Sequence, residues 1–434
     1  MSELVIIITL FIGGLLALVA LGVPVAVAVG FTSLFMLVTP YGPGLNLNVI
    51  GAQFFHGMNS FVFLAFPFYL LLGRLMNRIG LTDTIFDFAT AIVGQFKGGI
   101  AYVNIIASII FSGMSGLVAA DVAGLGRIEY KAMIDRDYPR DMALGITGSS
   151  AVVGPIMPPS VPVIVFAVLA QVSVGAMFLA GIVPALLIGL CIAIFVWFQI
   201  RSRGGFEPER AFSISYLYET SKKAVPALMI PGIVIGGIIA GVFTATEAGA
   251  VALFYAVLLG AVSGNLTTPI MVQEIRDSMV ETFSITFIIA NAAVYSYVAV
   301  TLGLPVAMAD FVTNFTTNET LIIVLLVLIF FILGTFLDKI SAIALLVPVL
   351  APTVETLQMD PIHFGIVMVT ALMIGTLTPP VGGAIYALEK VTDASLEEIM
   401  RAVLPYFIPL IAVLALMIAF PDLVMYLPDT FYGE

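Results

Sequence analysis

The sequence predicts an all-α polytopic membrane protein, built as an inverted repeat with two re-entrant helical hairpins and two interrupted helices. Hydrophobic residues make up 61% of the 434 residues and charged residues only 10%. A soluble domain carries about a quarter charged residues, so a soluble globular enzyme is excluded. The apolar stretches are long and continuous, as spanning helices require. The order of apolar runs, turns and prolines in the first half also recurs about 221 residues later.

Apolar runs and helix breakers define the elements of the first half. A breaker-rich stretch, 41–60, separates the second span from the third. Residues 80–97 are amphipathic and too polar to cross, which favours a helix at the membrane surface. Residues 99–135 form an apolar arm, a turn of small residues and a second arm that ends in charge. The predicted spans of this half are 4–22, 24–39, 61–79, 141–170 and 182–200.

The second half repeats this order. Residues 305–318 again have the character of an interfacial helix, and 319–357 repeat the arm–turn–arm pattern. An acidic tail, PDLVMYLPDTFYGE, closes the chain. The predicted spans of this half are 225–242, 245–262, 278–300, 362–390 and 404–420.

The cations decide how the hairpins insert. If each hairpin leaves by the face through which it enters, fifteen of the sixteen Lys and Arg residues fall on one side, and Lys339 is the exception. The positive-inside rule makes that side the cytoplasm. The first hairpin then opens to the cytoplasm and the second to the outside. Ten full crossings leave both termini extracytoplasmic.

The repeat aligns the features that interrupt helices. Pro158-Pro159 falls on Pro379-Pro380, Gly154 on Gly375, and Gly113 on Gly334. Because the hairpins open to opposite sides, the repeat is inverted. Inverted repeats with broken helices are typical of secondary transporters, which bind their solute where the repeats meet.

The interrupted segments carry the predicted chemistry. Each proline in 147–162 (TGSSAVVGPIMPPSVP) removes a donor and frees carbonyls one turn upstream. Broken half-helices offer N-termini to an anion and carbonyl ends to a cation. The second set is 334–341 (GTFLDKIS) with 375–383 (GTLTPPVGG). Packing alone also accounts for prolines and small residues taken singly, whereas their joint duplication favours a site.

Charged and metal-binding groups are few. Asp338 and Lys339 lie at membrane depth, where they form a possible intramembrane ion pair that is either functional or structural. His56 and His363 lie far apart in the chain, and Cys191 is the only cysteine. We therefore expect no metal other than Na⁺, no cofactor and no enzyme activity. The net charge of -11 argues against a nucleic-acid partner.

Four segments resemble one family across essentially the whole chain. They are FSGMSGLVAADVAGLGRIEYKAM, GSSAVVGPIMPPSVPVIVFA, GTFLDKISAIALLVPVLAPTVE and FGIVMVTALMIGTLTPPVGG. They resemble the large membrane subunit of tripartite ATP-independent periplasmic (TRAP) transporters, the DctM-like family. The resemblance implies an elevator-type fold in the inner (cytoplasmic) membrane. Scaffold units (1–97 and 206–318) would alternate with transport units (98–205 and 319–434).

The resemblance also implies a mechanism and partners. A sodium gradient would drive import of an organic anion of carboxylate type, such as a C4-dicarboxylate, a sugar acid or ectoine. An extracytoplasmic solute-binding protein would deliver the anion, and a small four-helix membrane subunit would be a separate chain. The alternatives are a stand-alone sodium-coupled carboxylate carrier of the same superfamily, a channel and an intramembrane enzyme.

The family's ligands, transferred by motif, fall on named residues. The first turn, SGMSGLVAAD, has fewer hydroxyls than many members of the family. The residues implied for the first sodium site are Ser112, Ser115, Gly154, Met157 and Pro159. Those implied for the second sodium site are Gly334, Gly375, Thr378 and Val381. Those implied for the substrate are Ser149, Ser150, Thr335 and Thr376.

Overall fold

The computed structural model describes residues 6–115, 122–316, 318–378 and 382–433. Within these ranges the chain is helical, and its one isolated backbone bridge pairs Lys97 with Pro208. The all-α prediction is therefore confirmed. The helices follow the predicted order of elements, and several extend beyond the predicted ends.

The first half contains ten helices in its described part. Helix α8 ends at Ser150, and α9 begins at Val161 after ten intervening residues. The helices are α1 Ile6–Ala20, α2 Val25–Val38, α3 Leu47–Met58, α4 Phe61–Arg78, α5 Leu81–Val93, α6 Gly99–Ser115, α7 Arg127–Ile134, α8 Arg140–Ser150, α9 Val161–Leu169 and α10 Val174–Arg203.

The second half follows the same order, again with a gap between α17 and α18. A short helix, α20, covers most of the acidic tail. The helices are α11 Ile214–Ile239, α12 Ala245–Val262, α13 Thr268–Thr301, α14 Leu304–Phe315, α15 Glu319–Phe336, α16 Lys339–Thr356, α17 Pro361–Gly375, α18 Gly383–Val391, α19 Leu396–Ala419 and α20 Asp422–Tyr432.

The backbone repeats as well as the sequence. Asp137 follows the first hairpin and Gln358 follows the second, and the two positions are 221 residues apart. Both are non-glycine residues with positive φ, 58° and 57°. This conformation is uncommon for a residue with a side chain. The same turn therefore closes both hairpins at equivalent positions.

The breaker-rich stretch 41–60, which separates the second span from the third, contains the helix α3 over much of its length. Asn46 caps α3 by accepting hydrogen bonds from Asn48 N (3.1 Å) and Val49 N (3.4 Å). Asn46, which is one of the helix-breaking residues of this stretch, thus serves as the N-cap of α3. Helices α3 and α4 together correspond to the single continuous helix α13 in the second half.

Eight helices are long and apolar enough to cross a membrane in the described part of the chain. Helices α15 and α16 are among them, each with 18 residues. Length therefore leaves the insertion of the second hairpin undecided, and its re-entrance stays a prediction. Helices α11 and α13 begin about ten residues before the predicted spans, because the first ten residues of each include charged side chains that a hydropathy window excludes.

Ion pairs join segments that the charge pattern assigns to the same side. Such pairs include Arg74 with Glu281, Arg78 with Glu274, Arg136 with Glu209, Arg140 with Glu398 and Arg203 with Asp141. The hydrogen bonds that Arg136 donates to the Glu209 carboxylate raise the pKa of Arg136. Burial raises the pKa of the neighbouring Tyr138 to about 12.

The two interrupted helices form the centre of the molecule. Every residue from Met142 to Ser150 in α8, and from His363 to Gly375 in α17, is buried. By contrast, α11 and α12 expose large apolar side chains on the outer surface. These parts of the two interrupted helices are thus shielded from the surface of the protein.

Candidate ion and substrate site

The first interruption is a compact backbone turn. A short 3₁₀ turn, Ala151–Val153, follows α8, and Met157 N donates to Val153 O at 2.9 Å. The peptide bond between Pro158 and Pro159 is cis. Ser160 then caps α9 by accepting a hydrogen bond from Val163 N at 3.3 Å, and its hydroxyl donates to Pro155 O. The prolines thus break the helix, as predicted.

Helix α10 packs directly on this turn. A Cβ built on Gly181 would overlap the carbonyl oxygen of Ile156. Glycine is therefore required for this close approach between helix and turn. The turn is held from outside by α10 as well as by its own hydrogen bonds.

The second interruption brings carbonyl oxygens together. The amides of Thr376 and Thr378 continue the helical bonding of α17, with Thr378 N 2.9 Å from Gly375 O. A Cβ on Gly382 would lie 2.5 Å from Thr376 O and 2.9 Å from Thr378 O. These two carbonyls therefore face the same point of the turn. Residues 379–381, which include the predicted ligand Val381, lie outside the described residues.

Thr378 has a hydroxyl group without a partner. Its Oγ1 is buried and makes no hydrogen bond. A buried hydroxyl normally finds a partner, because leaving it unsatisfied costs about 1–3 kcal/mol. Among the predicted ligands with described side chains, Thr378 is thus the one whose polar atom is left unsatisfied by the protein.

Gly334 and Gly375 are brought into contact. A Cβ on Gly375 would lie 2.9 Å from Gly334 Cα, and a Cβ on Gly334 would lie 2.6 Å from Leu372 O. Helices α15 and α17 therefore cross backbone to backbone at these glycines, as small residues permit inside membranes. The hairpin arm and the interrupted helix, which were predicted to share one sodium site, meet at two of its predicted residues.

Three of the four predicted substrate residues have their hydroxyls turned back onto their own helices. Thr335 Oγ1 donates to Ile332 O, and Thr376 Oγ1 donates to Met373 O, both at 2.7 Å. Ser149 Oγ donates to Ile146 O at 3.1 Å. A hydroxyl that donates one bond keeps lone pairs with which to accept another or to coordinate a cation.

A buried polar network lies beside the first interruption, and sequence reasoning missed most of it. Ser108 Oγ is 3.1 Å from Ser150 Oγ and 3.2 Å from a carboxylate oxygen of Glu129. Ser150 Oγ donates to Asn104 Oδ1 at 2.9 Å, and Asn104 Nδ2 donates to Thr147 Oγ1 at 2.8 Å. All five residues are at least 95% buried. The network ties the arms of the first hairpin, α6 and α7, to α8.

A signal for this network was present in the sequence. Asn104, Ser108 and Ser112 follow one another at intervals of four, so they share one face of α6. Ser112, a predicted sodium ligand, is buried on that face. The side chain of Ser115, a second predicted ligand, lies outside the described side chains.

Asp338 has a structural role. Its carboxylate accepts hydrogen bonds from Ile340 N (3.1 Å) and Ser341 N (3.3 Å), which caps α16. A carboxylate at a helix N-terminus also interacts favourably with the helix dipole. The ion pair with Lys339 stays a prediction.

The two interrupted helices run antiparallel to each other. A Cβ on Gly148 of α8 would lie 2.9 Å from Leu388 of α18. Phe166 of α9 packs on Gly365 of α17, where a Cβ would overlap its ring. The leading part of each helix thus contacts the trailing part of the other. This is the arrangement expected of an inverted repeat around a pseudo-two-fold axis.

Two solved transporters share this fold. The YdaH transporter of Alcanivorax borkumensis aligns over 91% of this chain and 96% of its own, with a TM-score of 0.62 and 13% identity. MtrF of Neisseria gonorrhoeae, which represents a class of antimetabolite efflux pumps, aligns over 86% of this chain and 83% of its own, with a TM-score of 0.56 and 14% identity. At this identity the likeness defines the fold alone.

Sequence comparison defines the family. Residues 12–423 match the family described as "Tripartite ATP-independent periplasmic transporter, DctM component". The chain is 38% identical to the sialic acid TRAP transporter large permease protein SiaM of Vibrio cholerae, over 97% of this chain and 98% of SiaM. It is 30% identical to the 2,3-diketo-L-gulonate large permease protein YiaN of Escherichia coli, over 96% and 97%. It is 29% identical to the C4-dicarboxylate large permease protein DctM of Rhodobacter capsulatus, over 96% and 98%.

The chain belongs to the DctM family of TRAP transporter large permease subunits. It is a multi-pass protein of the inner membrane and a transporter component, not an enzyme. Large subunits of this kind work with a small membrane subunit and a periplasmic binding protein. The stand-alone carrier is therefore not favoured.

Proposed function

We propose that this permease uses the sodium gradient to import an organic anion of carboxylate type, delivered by the extracytoplasmic binding protein. The observation that carries the proposal is the Thr378 hydroxyl, which is buried without a partner in the second interruption. The carbonyls of Thr376 and Thr378 face the same point of that turn. Unwound backbone carbonyls and hydroxyls are hard oxygen ligands, which transporters use for Na⁺.

The second sodium site would draw on both sides of the helix crossing. Gly334 and Gly375 touch through their backbones, so the ends of α15 and α17 can supply oxygens to one ion. Thr378 adds its free hydroxyl, and Val381 completes the proposed set. None of these ligands is charged, which suits a monovalent cation that has to be released again.

The first sodium site would follow the same logic. Ser112 is buried on the polar face of α6, and Ser115 lies one turn further along the helix. Gly154, Met157 and Pro159 belong to the proline-rich turn, in which missing donors leave carbonyls available. The Glu129 network would hold α6 and α8 in the relative position that this site needs.

The organic anion would bind between the two interruptions, near Ser149, Ser150, Thr335 and Thr376. Thr335 and Thr376 directly follow the two touching glycines. Helices α9 and α18 both begin at the interruptions. The N-terminus of a helix interacts favourably with a negatively charged ligand. The names of the relatives include sialic acid, 2,3-diketo-L-gulonate and C4-dicarboxylates, which supports a carboxylate without selecting one.

Bound Na⁺ would strengthen anion binding by neutralising and ordering both turns, and this coupling is reciprocal. The transport units (98–205 and 319–434) would then carry ions and anion past the scaffold units (1–97 and 206–318). The antiparallel packing of the interrupted helices supports this inverted design. The partner membrane subunit is proposed to have four helices, and both termini of this chain are proposed to be extracytoplasmic.

The test compares Thr378→Val with Thr370→Val. Both hydroxyls are buried without a partner, and Thr370 lies on α17 two turns before the interruption. In proteoliposomes that contain the small subunit and the binding protein, Thr378→Val should raise the sodium concentration for half-maximal uptake by about tenfold, equivalent to ~1.4 kcal/mol. Thr370→Val should leave it unchanged.

Thermal unfolding separates binding from folding. Without Na⁺, Thr378→Val should unfold at the same or a higher temperature, because an unsatisfied buried hydroxyl is replaced by a methyl group of similar shape. It should lose the stabilisation that Na⁺ gives to the wild type. A folded Thr378→Val protein with wild-type sodium dependence would contradict the site.

The insertion of the hairpins has its own test. Asp135 and Thr356 are exposed at equivalent ends of the two hairpins, 221 residues apart. In a Cys191→Ala background, Asp135→Cys should react with an impermeant thiol reagent only from the cytoplasmic side. Thr356→Cys should react only from the outside. Labelling of both positions from the cytoplasmic side would show that the second hairpin ends on the face opposite to the one by which it enters.

A further inference from the structure

A cavity of about 910 Å³ lies away from the interruptions, between the end of α5, the first half of α6 and the second half of α10. Most of its lining is aliphatic. The aliphatic residues at its centre are Ile105, Ile106, Ile109, Leu190, Ala193 and Ile194. Such a lining offers few polar contacts to a small hydrophilic solute. It suits the acyl chain of a lipid, whose apolar surface it keeps away from water.

The cavity has the length of one bilayer leaflet. At one end, α10 closes on α6 at Gly189, where a Cβ would overlap Ile109. The other end is at Arg201, twelve residues further along α10. At a rise of 1.5 Å per residue this is about 18 Å, and half of a ~30 Å hydrocarbon core is about 15 Å.

Two positive charges stand at the Arg201 end. Lys97 and Arg201 both line the cavity and are exposed. Neither forms a salt bridge within the described ranges, whereas the nearby Arg136 and Arg203 are each paired with a carboxylate. The described lining of the cavity contains no acidic side chain. The charge at this end is therefore left for a ligand to balance.

An aromatic residue marks the same level. The Arg201 guanidinium lies 5.5 Å from the centre of the Trp197 ring, and Trp197 also lines the cavity. Tryptophan is enriched where the hydrocarbon meets the headgroups. Charge and ring together place the mouth of the cavity at headgroup depth and its aliphatic part within the leaflet.

We propose that this cavity binds a phospholipid with an anionic headgroup, the phosphate at Lys97 and Arg201 and one acyl chain along α6 and α10. Basic pockets between helices on the cytoplasmic side commonly bind such lipids. The lipid would touch α5, from the unit 1–97, as well as α6 and α10, from the unit 98–205. Binding of this lipid does not depend on the coupling ion or the solute.

The test uses the complete permease in nanodiscs of phosphatidylethanolamine with a minor share of phosphatidylglycerol. Native mass spectrometry counts the phosphatidylglycerol molecules that stay bound to the permease after its release from the nanodisc. The variant Lys97→Gln/Arg201→Gln should retain it about 30-fold more weakly, taking ~1 kcal/mol for each cation. The control Lys222→Gln/Arg276→Gln removes two exposed cations elsewhere and should retain it as the wild type does. Equal retention by both variants, or an equal loss in both, would overturn the proposal.

A second variant tests the acyl chain. Ala193→Phe fills the aliphatic part of the cavity and leaves both cations in place. It should also lose phosphatidylglycerol, while its thermal unfolding shows whether the fold is kept. Unchanged retention by a folded Ala193→Phe protein would mean that the headgroup binds at the surface alone. Displacement of the lipid by soluble glycerol 3-phosphate at matching affinity would overturn the lipid assignment as well.

Discussion

At the crossing of α15 and α17, we expect the addition of a single methyl group to have a large effect. Gly334→Ala would put a Cβ 2.6 Å from Leu372 O and 3.2 Å from Gly375 Cα. Both atoms belong to the backbone, so no side chain can rotate away to make room. An ordinary Cβ contact begins at 3.4 Å. The two helices must therefore separate by about 0.8 Å at the point where the second sodium site is proposed.

This shift should affect binding more than folding. Overpacking of a buried contact costs about 1–3 kcal/mol, which lowers the unfolding temperature measurably. Binding constellations need positions within about 0.5 Å. We expect Gly334→Ala to raise the sodium concentration for half-maximal uptake by at least about tenfold, equivalent to ~1.4 kcal/mol.

Gly383→Ala is the matched control. Gly383 lies at the start of α18, beside the same interruption, and nothing stands within 4 Å of its Cβ position. Alanine there should leave sodium dependence unchanged and add up to ~1 kcal/mol of stability. Both variants are assayed by sodium-dependent uptake in proteoliposomes and by thermal unfolding. If Gly334→Ala transports with wild-type sodium dependence, the crossing does not shape an ion site.

Three further predictions concern the surroundings of the site. Gly181→Ala, which forces α10 off the first interruption, should abolish uptake and lower the free energy of unfolding by about 1–3 kcal/mol. Glu129→Ala should lower the unfolding temperature more than Glu129→Gln, because glutamine still accepts the hydrogen bond from Ser108; equal effects would contradict a role for that bond. The Arg136–Glu209 pair, with side chains 37% and 24% exposed, should show a coupling below about 1 kcal/mol in a double-mutant cycle.

Sequence patterning found the interruptions because prolines and glycines act locally. Pro158-Pro159 breaks its helix whatever packs around it, and the described chain is non-helical there. The family resemblance assigned Gly334 and Gly375 to one sodium site, which implies that the two residues lie near each other. The close approach itself depends on how α15 and α17 pack, which no local pattern specifies.

Helix ends and buried charge were harder to predict. Hydropathy detects the part of α13 inside the bilayer, and its polar first turns extend beyond that window. Glu129 lies in an arm rich in charges, which normally indicates a solvated face. It is 1% exposed, and its carboxylate lies 3.2 Å from the Ser108 hydroxyl of α6. The unsatisfied hydroxyl of Thr378 likewise depends on tertiary packing.

Uptake under imposed ion gradients tests the proposed function most directly. The permease, its small subunit and its binding protein are reconstituted, and solute uptake is compared with an inward Na⁺ gradient, an inward K⁺ gradient and no gradient. We predict accumulation only with Na⁺ and only when the binding protein is loaded. Equal accumulation with K⁺ or without a gradient would contradict sodium coupling.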